Sequence, residues 1–288
     1  MPFDAARTAR TLHGVVELVH TTLYFARDAR DAWSGIGLEP LAQGYFAGRA
    51  APLGAVGPEV VTAIFFNFSP TAVGFGLPAA WEAASPAEVL AARARAMEAL
   101  FERVSAPGDG LAEATELAGV AAGGADLVGR PLAAANAAVP LPGTPFADLW
   151  QTLTILREHR GDGHVALLTA SGLHPVEVLV AYTSWQSQLR RGFYQRTRLW
   201  DDQAWGEAEQ RLRERGWLDD TGSLTDAGQR WRQTLEDDTD RLAAAPYAAL
   251  GEDRSRRLFD LLRPLAAVFA EAEDVYPRPP AVPASFDA

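Results

Sequence analysis

Apolar positions along this chain recur at helical spacing rather than in alternation. From Thr8 to Arg27, Leu12, Val15, Val16, Val19 and Leu23 fall on one face of a 3.6-residue period and predict a long first helix. Ser85-Pro86-Ala87-Glu88 is a capping box with proline at the first helical position, opening a helix to about Val104. Thr225-Asp226-Ala227-Gly228 opens another, reaching about Ala245, and Asp201 to Arg215 is amphipathic. Glycine- and proline-punctuated turns separate these segments, leaving only short strand candidates. The expected fold class is mainly α, with at most short wing strands.

The order of elements echoes. Gly35-Ile36-Gly37-Leu38-Glu39-Pro40 corresponds to Ala170-Ser171-Gly172-Leu173-His174-Pro175, each after a long helix and each followed about 50 residues later by a Ser/Thr-capped, arginine-rich helix. The expectation is two winged-helix-like halves, residues 1–107 and 147–275, with pseudo-symmetry left open. An Ala/Gly/Pro-rich helical linker (108–146, with a helical piece at 111–120) joins them, and a proline-rich, extended or disordered tail (276–288) follows.

Composition narrows the chemistry. All 26 basic residues are arginine, and cysteine is absent. Schiff-base and P-loop lysines, thiol nucleophiles and cysteine-ligated metals are therefore excluded; a metal would need His, Asp or Glu. The formal net charge of −11 argues against phosphate-driven nucleic-acid binding, though a local basic face remains open. Met1 to Arg7 lacks a basic stretch followed by an apolar core, so no signal peptide is expected and the cytoplasm is the expected location. The uncharged run Val60 to Trp81 carries Asn67, Ser69 and two prolines, and reads as a buried globular segment rather than a membrane span. No Gly-x-Ser-x-Gly, Gly-x-Gly-x-x-Gly, P-loop or His-Glu-x-x-His is present.

The most concentrated polar chemistry is Arg157-Glu158-His159-Arg160-Gly161-Asp162-Gly163-His164, set between apolar runs. So dense a group is costly to bury unless every member is paired. Its two glycines permit a tight bend at a helix junction that would gather His159, Asp162 and His164 as catalytic or metal-binding groups. The competing reading is structural: Asp162 caps the following helix, while Glu158 and Arg160 pair with neighbours. His20 and Tyr24 on the first helix, Tyr45, Arg49, Phe66, Asn67, Arg160 and Trp185 are the further candidates for contact with a ligand. For Arg49 the structural alternative is a pair with Glu59 or Asp31; for His20 and the aromatics it is simple core.

The second half runs helix, Arg215-Gly216-Trp217-Leu218, a short wing, Leu224-Thr225-x-x-Gly228, helix. This order resembles the winged helix-turn-helix of MarR-like regulators. Nearly the whole chain resembles an actinobacterial winged helix-turn-helix family of largely unassigned function. That resemblance rests on Gly44 to Gly54, Phe66-Asn67-Phe68-Ser69-Pro70, Leu156 to His164 and Thr239-Asp240-Arg241-Leu242-Ala243.

In such a fold the helix before the wing enters the major groove, and its exposed face should carry base-reading side chains. Here Asp201 to Leu218 holds five acids and three bases, and the wing adds Asp219 and Asp220. The first-half counterpart, Gly57 to Phe68, is apolar nearly all round and should be buried. A DNA-binding regulator, possible as a homodimer, would have to use Arg190, Arg191, Arg196 and Arg198; the same arginines could equally bind an anionic ligand or pair with the acidic surface. The leading expectation is instead a small-molecule-binding protein on winged-helix parts that no longer read DNA, conceivably an enzyme of specialised metabolism using His, Tyr, Asp and Arg.

Overall fold

Helices dominate because the apolar periodicity leaves few segments that could pair as strands. Among the residues described by the computed structural model (3–185, 190–272, 274 and 281–287) there is no strand, only one antiparallel bridge between Leu218 and Leu224. The helices are α1 (Ala5–His20), α2 (Arg27–Ser34), α3 (Ala42–Ala50), α4 (Pro58–Phe65), α5 (Pro70–Gly74), α6 (Ala79–Ala83), α7 (Pro86–Arg103) and α8 (Leu111–Gly123). There follow α9 (Pro131–Ala137), α10 (Pro145–Ala170), α11 (Pro175–Trp185), α12 (Arg191–Arg198), α13 (Asp202–Glu214), α14 (Asp226–Leu242), α15 (Ala245–Leu250) and α16 (Glu252–Glu271). The Ser85 capping box forms as the sequence implies, and Thr225 caps α14 through the Gly228 N–H. The first helix ends at His20 and continues as a 3-10 turn, Thr21–Tyr24.

Two apolar cores result. The larger draws on α1–α9, the first half of α10, α15 and α16; the smaller joins Leu168 to α11–α14 and the wing residues Leu218 and Leu224. The cores therefore do not divide at residues 107 and 147, because 243–269 packs with the first half. The 26-residue α10 runs through both, and its middle turns are buried on every side. Phe66 crosses the other way, packing from the first half against the smaller core. It is the centre of a γ-turn with φ 56°, closed by Asn67 N–H to the Phe65 carbonyl at 2.7 Å, a strained conformation for a bulky residue.

Three expectations are corrected here. The Arg157–His164 stretch is not a bend: it lies within continuous α10. Helix α4 is not buried all round, since Val60 is 44% exposed and Glu59 and Ala63 face solvent. The tail is outside the described residues at 276–280 and 288, but 281–287 is docked, with Phe286 against Phe259, Pro283 over Gly14 and Asp287 held by Arg7 and Arg256. From sequence, His164 to about Arg190 reads as a helix-turn-helix stretch; its last part, residues 186–189, lies outside the described residues.

The Gly44-x-x-x-Gly48 spacing has a local cause. Both glycines of α3 face the Trp33 ring of α2, and a Cβ at Gly44 would overlap Trp33 Cδ1, while one at Gly48 would sit 3.0 Å from Cζ2. An indole buried to 3% exposure cannot retreat. Gly44→Ala is expected to cost about 1–3 kcal/mol by overpacking, read as a lowered midpoint in urea unfolding.

Candidate functional site

Because α10 turns by about 100° per residue, neighbours in its polar stretch are sent to different faces. His159 and Asp162 face α8–α9. Asp162 accepts from the Ala133 N–H at 2.9 Å and so caps α9 rather than the helix following its own. Burial, ahead of neighbouring charges, raises the Asp162 carboxyl to about 6. Gly163 serves close approach rather than a bend: a Cβ there would lie 2.6 Å from Arg130 Nη1. Arg130 reaches across that gap to the carbonyls of His159 and, at 2.8 Å, Leu242.

His164 faces α14 instead. The Thr239 hydroxyl donates to the Leu235 carbonyl at 2.6 Å, so it can only accept from His164 Nδ1–H at 2.9 Å. Arg160 pairs with Asp240 at 2.6 Å and Glu236 at 3.5 Å, and Arg10 also reaches Asp240. The expected catalytic set His159, Asp162 and His164 is thus spread over separate faces. No cluster of three or more His, Asp or Glu able to hold a metal occurs among the described residues.

The third face, toward α1 and α3, gathers what the sequence scattered. Glu158, 2% exposed, accepts from Arg49 Nη2 at 3.2 Å and from Arg157 Nη1 at 2.9 Å. Arg157 also holds Glu17 at 3.1 Å. Burial pushes both carboxyls up, but Arg49 and Arg157 at Glu158, and Arg157 at Glu17, overcome it and hold each at about 2. Arg49 therefore pairs with neither Glu59 nor Asp31. It lies 4.0 Å over the Phe65 ring and reaches the Tyr45 hydroxyl at 3.4 Å.

His20 is fully buried and stacked on Trp150, with centroids 5.3 Å apart. Thr154 donates to the Trp150 carbonyl at 2.8 Å, so His20 Nδ1–H donates to Thr154 (3.1 Å) and Nε2 is left to accept the Tyr24 hydroxyl proton (3.2 Å). Burial, with Arg157 beside it, lowers His20 to about 3, so it is neutral. Burial likewise raises the Tyr24 phenol well above its usual range. Both groups are shifted away from neutral pH, so the pair is a buried neutral hydrogen bond that fixes the direction of the Tyr24 hydroxyl.

From the winged-helix side, α12 turns inward. Arg198 stacks 4.0 Å over the Phe68 ring, near Tyr194 and Arg49, while Trp200 Nε1 donates to the Asn67 carbonyl at 2.9 Å and Ser69 N–H to the Arg198 carbonyl at 3.0 Å. Asn67 thus contributes its backbone to the junction. Trp185 is elsewhere, 38% exposed and under the Arg232 guanidinium.

The four segments Gly44–Gly54, Phe66–Pro70, Leu156–His164 and Thr239–Ala243 therefore meet around the middle of α10, through Arg49–Glu158, the Phe68 ring against Tyr45 and Phe46, and His164–Thr239. Sequence reasoning missed Glu17, Arg157 and His13 and read Arg198 as outward-facing. The signal for the first helix was available: His13, Glu17, His20 and Tyr24 recur at steps of four, three and four, one polar stripe on an apolar helix. Glu17 and Arg157 keep 27% and 23% of their side-chain surface open, although burial is the foremost influence on both. Two open grooves, of about 550 and 740 Å³, border this cluster, one beside Arg7, Arg10 and Asp240 and the other beside Leu90, Pro140 and Trp150.

On α13 the exposed residues are Asp202, Gln203, Gly206, Glu207, Gln210 and Glu214. Its arginines are engaged: Arg211 with Glu177 at 3.1 Å and Arg213 with Glu209 at 3.5 Å, while Arg191 of α12 takes Asp202 at 2.6 Å. No single helix among the described residues is long and apolar enough to cross a membrane. A family model described as a helix-turn-helix family matches residues 9–277. No curated protein and no solved structure matches the chain.

Proposed function

Since the chain belongs to this helix-turn-helix family across residues 9–277, we propose that it retains the winged helix as one wall of an internal small-molecule site rather than as a reader of DNA. The observation that carries this is the inward docking of α12: Arg198 lies on Phe68, and Trp200 is bonded to Asn67. A helix held that way cannot offer Arg198 to a phosphate backbone. The helix before the wing supports the same reading, because its exposed side chains include three carboxylates and no arginine, and phosphate contacts supply most of the affinity for DNA.

The ligand would lie against Tyr24, Tyr45 and Arg49 on one side and the α12 wall on the other, with Glu17 and Arg157 closing the third. His159, Asp162 and His164, placed on other faces of α10, have structural roles in this reading: capping α9 and seating α14.

The rival, favoured by the family itself, is a DNA-binding regulator using the exposed Arg190 and Arg196. Full-length protein titrated into labelled duplex at about 50 mM salt, where non-specific binding is strongest, is expected to give no shift in a gel. Native mass spectrometry of freshly purified protein is expected to show a retained adduct of small-molecule mass. A shift abolished by Arg190→Ala with Arg196→Ala, without any adduct, would overturn the proposal.

A further inference from the structure

We propose that the internal site takes an anionic group, a carboxylate or phosphate, and that Arg198 is its anchor. This rests on the small-molecule reading above and specifies its ligand class. On this face of α10 the cations are Arg49, Arg157 and Arg198, and the carboxylates are Glu17 and Glu158. Arg49 and Arg157 share both carboxylates. No carboxylate of the described residues lies within salt-bridge distance of Arg198, and its nearest charged neighbour, Arg49, repels it. Arg198 is half-buried, and its Nε is shut from water with no opposite charge beside it, a costly placement for a cationic donor.

Hydrogen bonding gives the same answer independently. Arg198 Nε is buried with no partner, and the guanidinium makes no hydrogen bond among the described residues. Its contacts are the face of Phe68 at 4.0 Å and the face of Tyr194 at 5.8 Å. Those rings fix the plane of the guanidinium and leave its donor edge vacant. Arg93 makes the contrast: it too is buried without a carboxylate, but it donates to the Gly48 carbonyl at 3.1 Å and to Gln151 Oε1 at 2.6 Å. Arg49 and Arg232 also leave Nε without a partner, but each holds a carboxylate through Nη2; Arg198 holds none among the described residues. A planar fork held between rings, with a second arginine and the Tyr45 hydroxyl nearby, suits bidentate capture of a carboxylate or phosphate. The other neighbours are neutral: Tyr194 and Tyr45.

The test uses the full-length protein with inorganic phosphate and with acetate, each against sodium chloride of matched ionic strength. Thermal unfolding of the wild type is expected to shift upward by a few degrees with at least one of the two anions, and which one responds separates a phosphate from a carboxylate ligand. Arg198→Met keeps the aliphatic packing on Phe68 and removes the charge. It is expected to lose the anion response at least tenfold in affinity while melting no lower than the wild type in chloride, because an uncompensated cation has been removed. Arg198→Gln serves as a second variant with the same expectation, and Arg196→Ala is expected to respond as the wild type does. No shift with either anion, or an unchanged response in both Arg198 variants, overturns the anchor. A native-mass adduct retained equally by Arg198→Met would also overturn it while leaving the small-molecule reading intact; duplex binding without any adduct would remove that reading itself.

Discussion

Glu158→Ala is expected to lower unfolding stability by about 3–5 kcal/mol, the range for breaking a buried ion pair by removing one partner. The carboxylate is 2% exposed and holds Arg49 and Arg157 together. Without it, two guanidinium groups stay in the interior with only Glu17 between them, and the Arg49 Nε already lacks a partner. Urea denaturation followed by tryptophan fluorescence checks the number, and Glu158→Gln separates charge from shape. Gln keeps acceptor capacity but not the charge, so most of the loss should persist. A change below about 1 kcal/mol in both variants would mean that the cluster is solvated and contributes nothing.

Acid is expected to unfold this protein steeply, with a midpoint at about pH 4.5–5.5. Burial comes first among the causes that lower His13, His159 and His164 to about 4, and His20 to about 3. An unfolded chain takes up these protons near pH 6.5, whereas the folded chain refuses them until about 4. Between those values the unfolded state binds more protons, so stability falls as pH falls. Asp162 acts oppositely, because its raised folded value lets the native state bind a proton first between about 6 and 3.8. These four histidines against Asp162 leave an excess of about three protons near pH 5, a slope of about 4 kcal/mol per pH unit, while His174, lowered by burial, and Asp240, raised by burial, act beside them in opposite senses. Glu17 and Glu158, held at about 2, add a further loss below 4.5 in the same direction. Circular dichroism against pH tests this. His164→Gln, which can keep the bond to Thr239, should flatten the slope by about one proton, and a profile level down to pH 4 would contradict the account.

How far the chain could be read in advance depended on whether a segment has an exposed face. Helices with one, such as α7 and α14, were bounded to within a few residues because polar positions interrupt the apolar ones and caps mark the ends. Helix α10 has none through its middle, so its periodicity is silent, and two glycines in eight residues looked like a bend. Only the tertiary fold shows that Gly163 makes room for Arg130. The four segments carrying the family resemblance were legible as important, and they do converge. Which partner each selects was not: Glu158 for Arg49 and the α9 N-terminus for Asp162 lie 109 and 29 residues away in the chain. Arg198 was misplaced because an arginine-rich amphipathic stretch gives the same sequence signal whether a given residue faces solvent or is clamped between rings.

The continuity of α10 bears on modularity. Winged helices are often thought of as exchangeable cassettes, cut at a linker and joined to a new partner. Here the cut would have to pass through a rod about 39 Å long, and residues 147–275 taken alone would expose Glu158, Asp240 and Asp162 without Arg49, Arg10 and α9. They would also strand 243–269 away from its core mates, α1 and α8. What elsewhere is a detachable reading head has here become a wall that cannot be removed without opening the house.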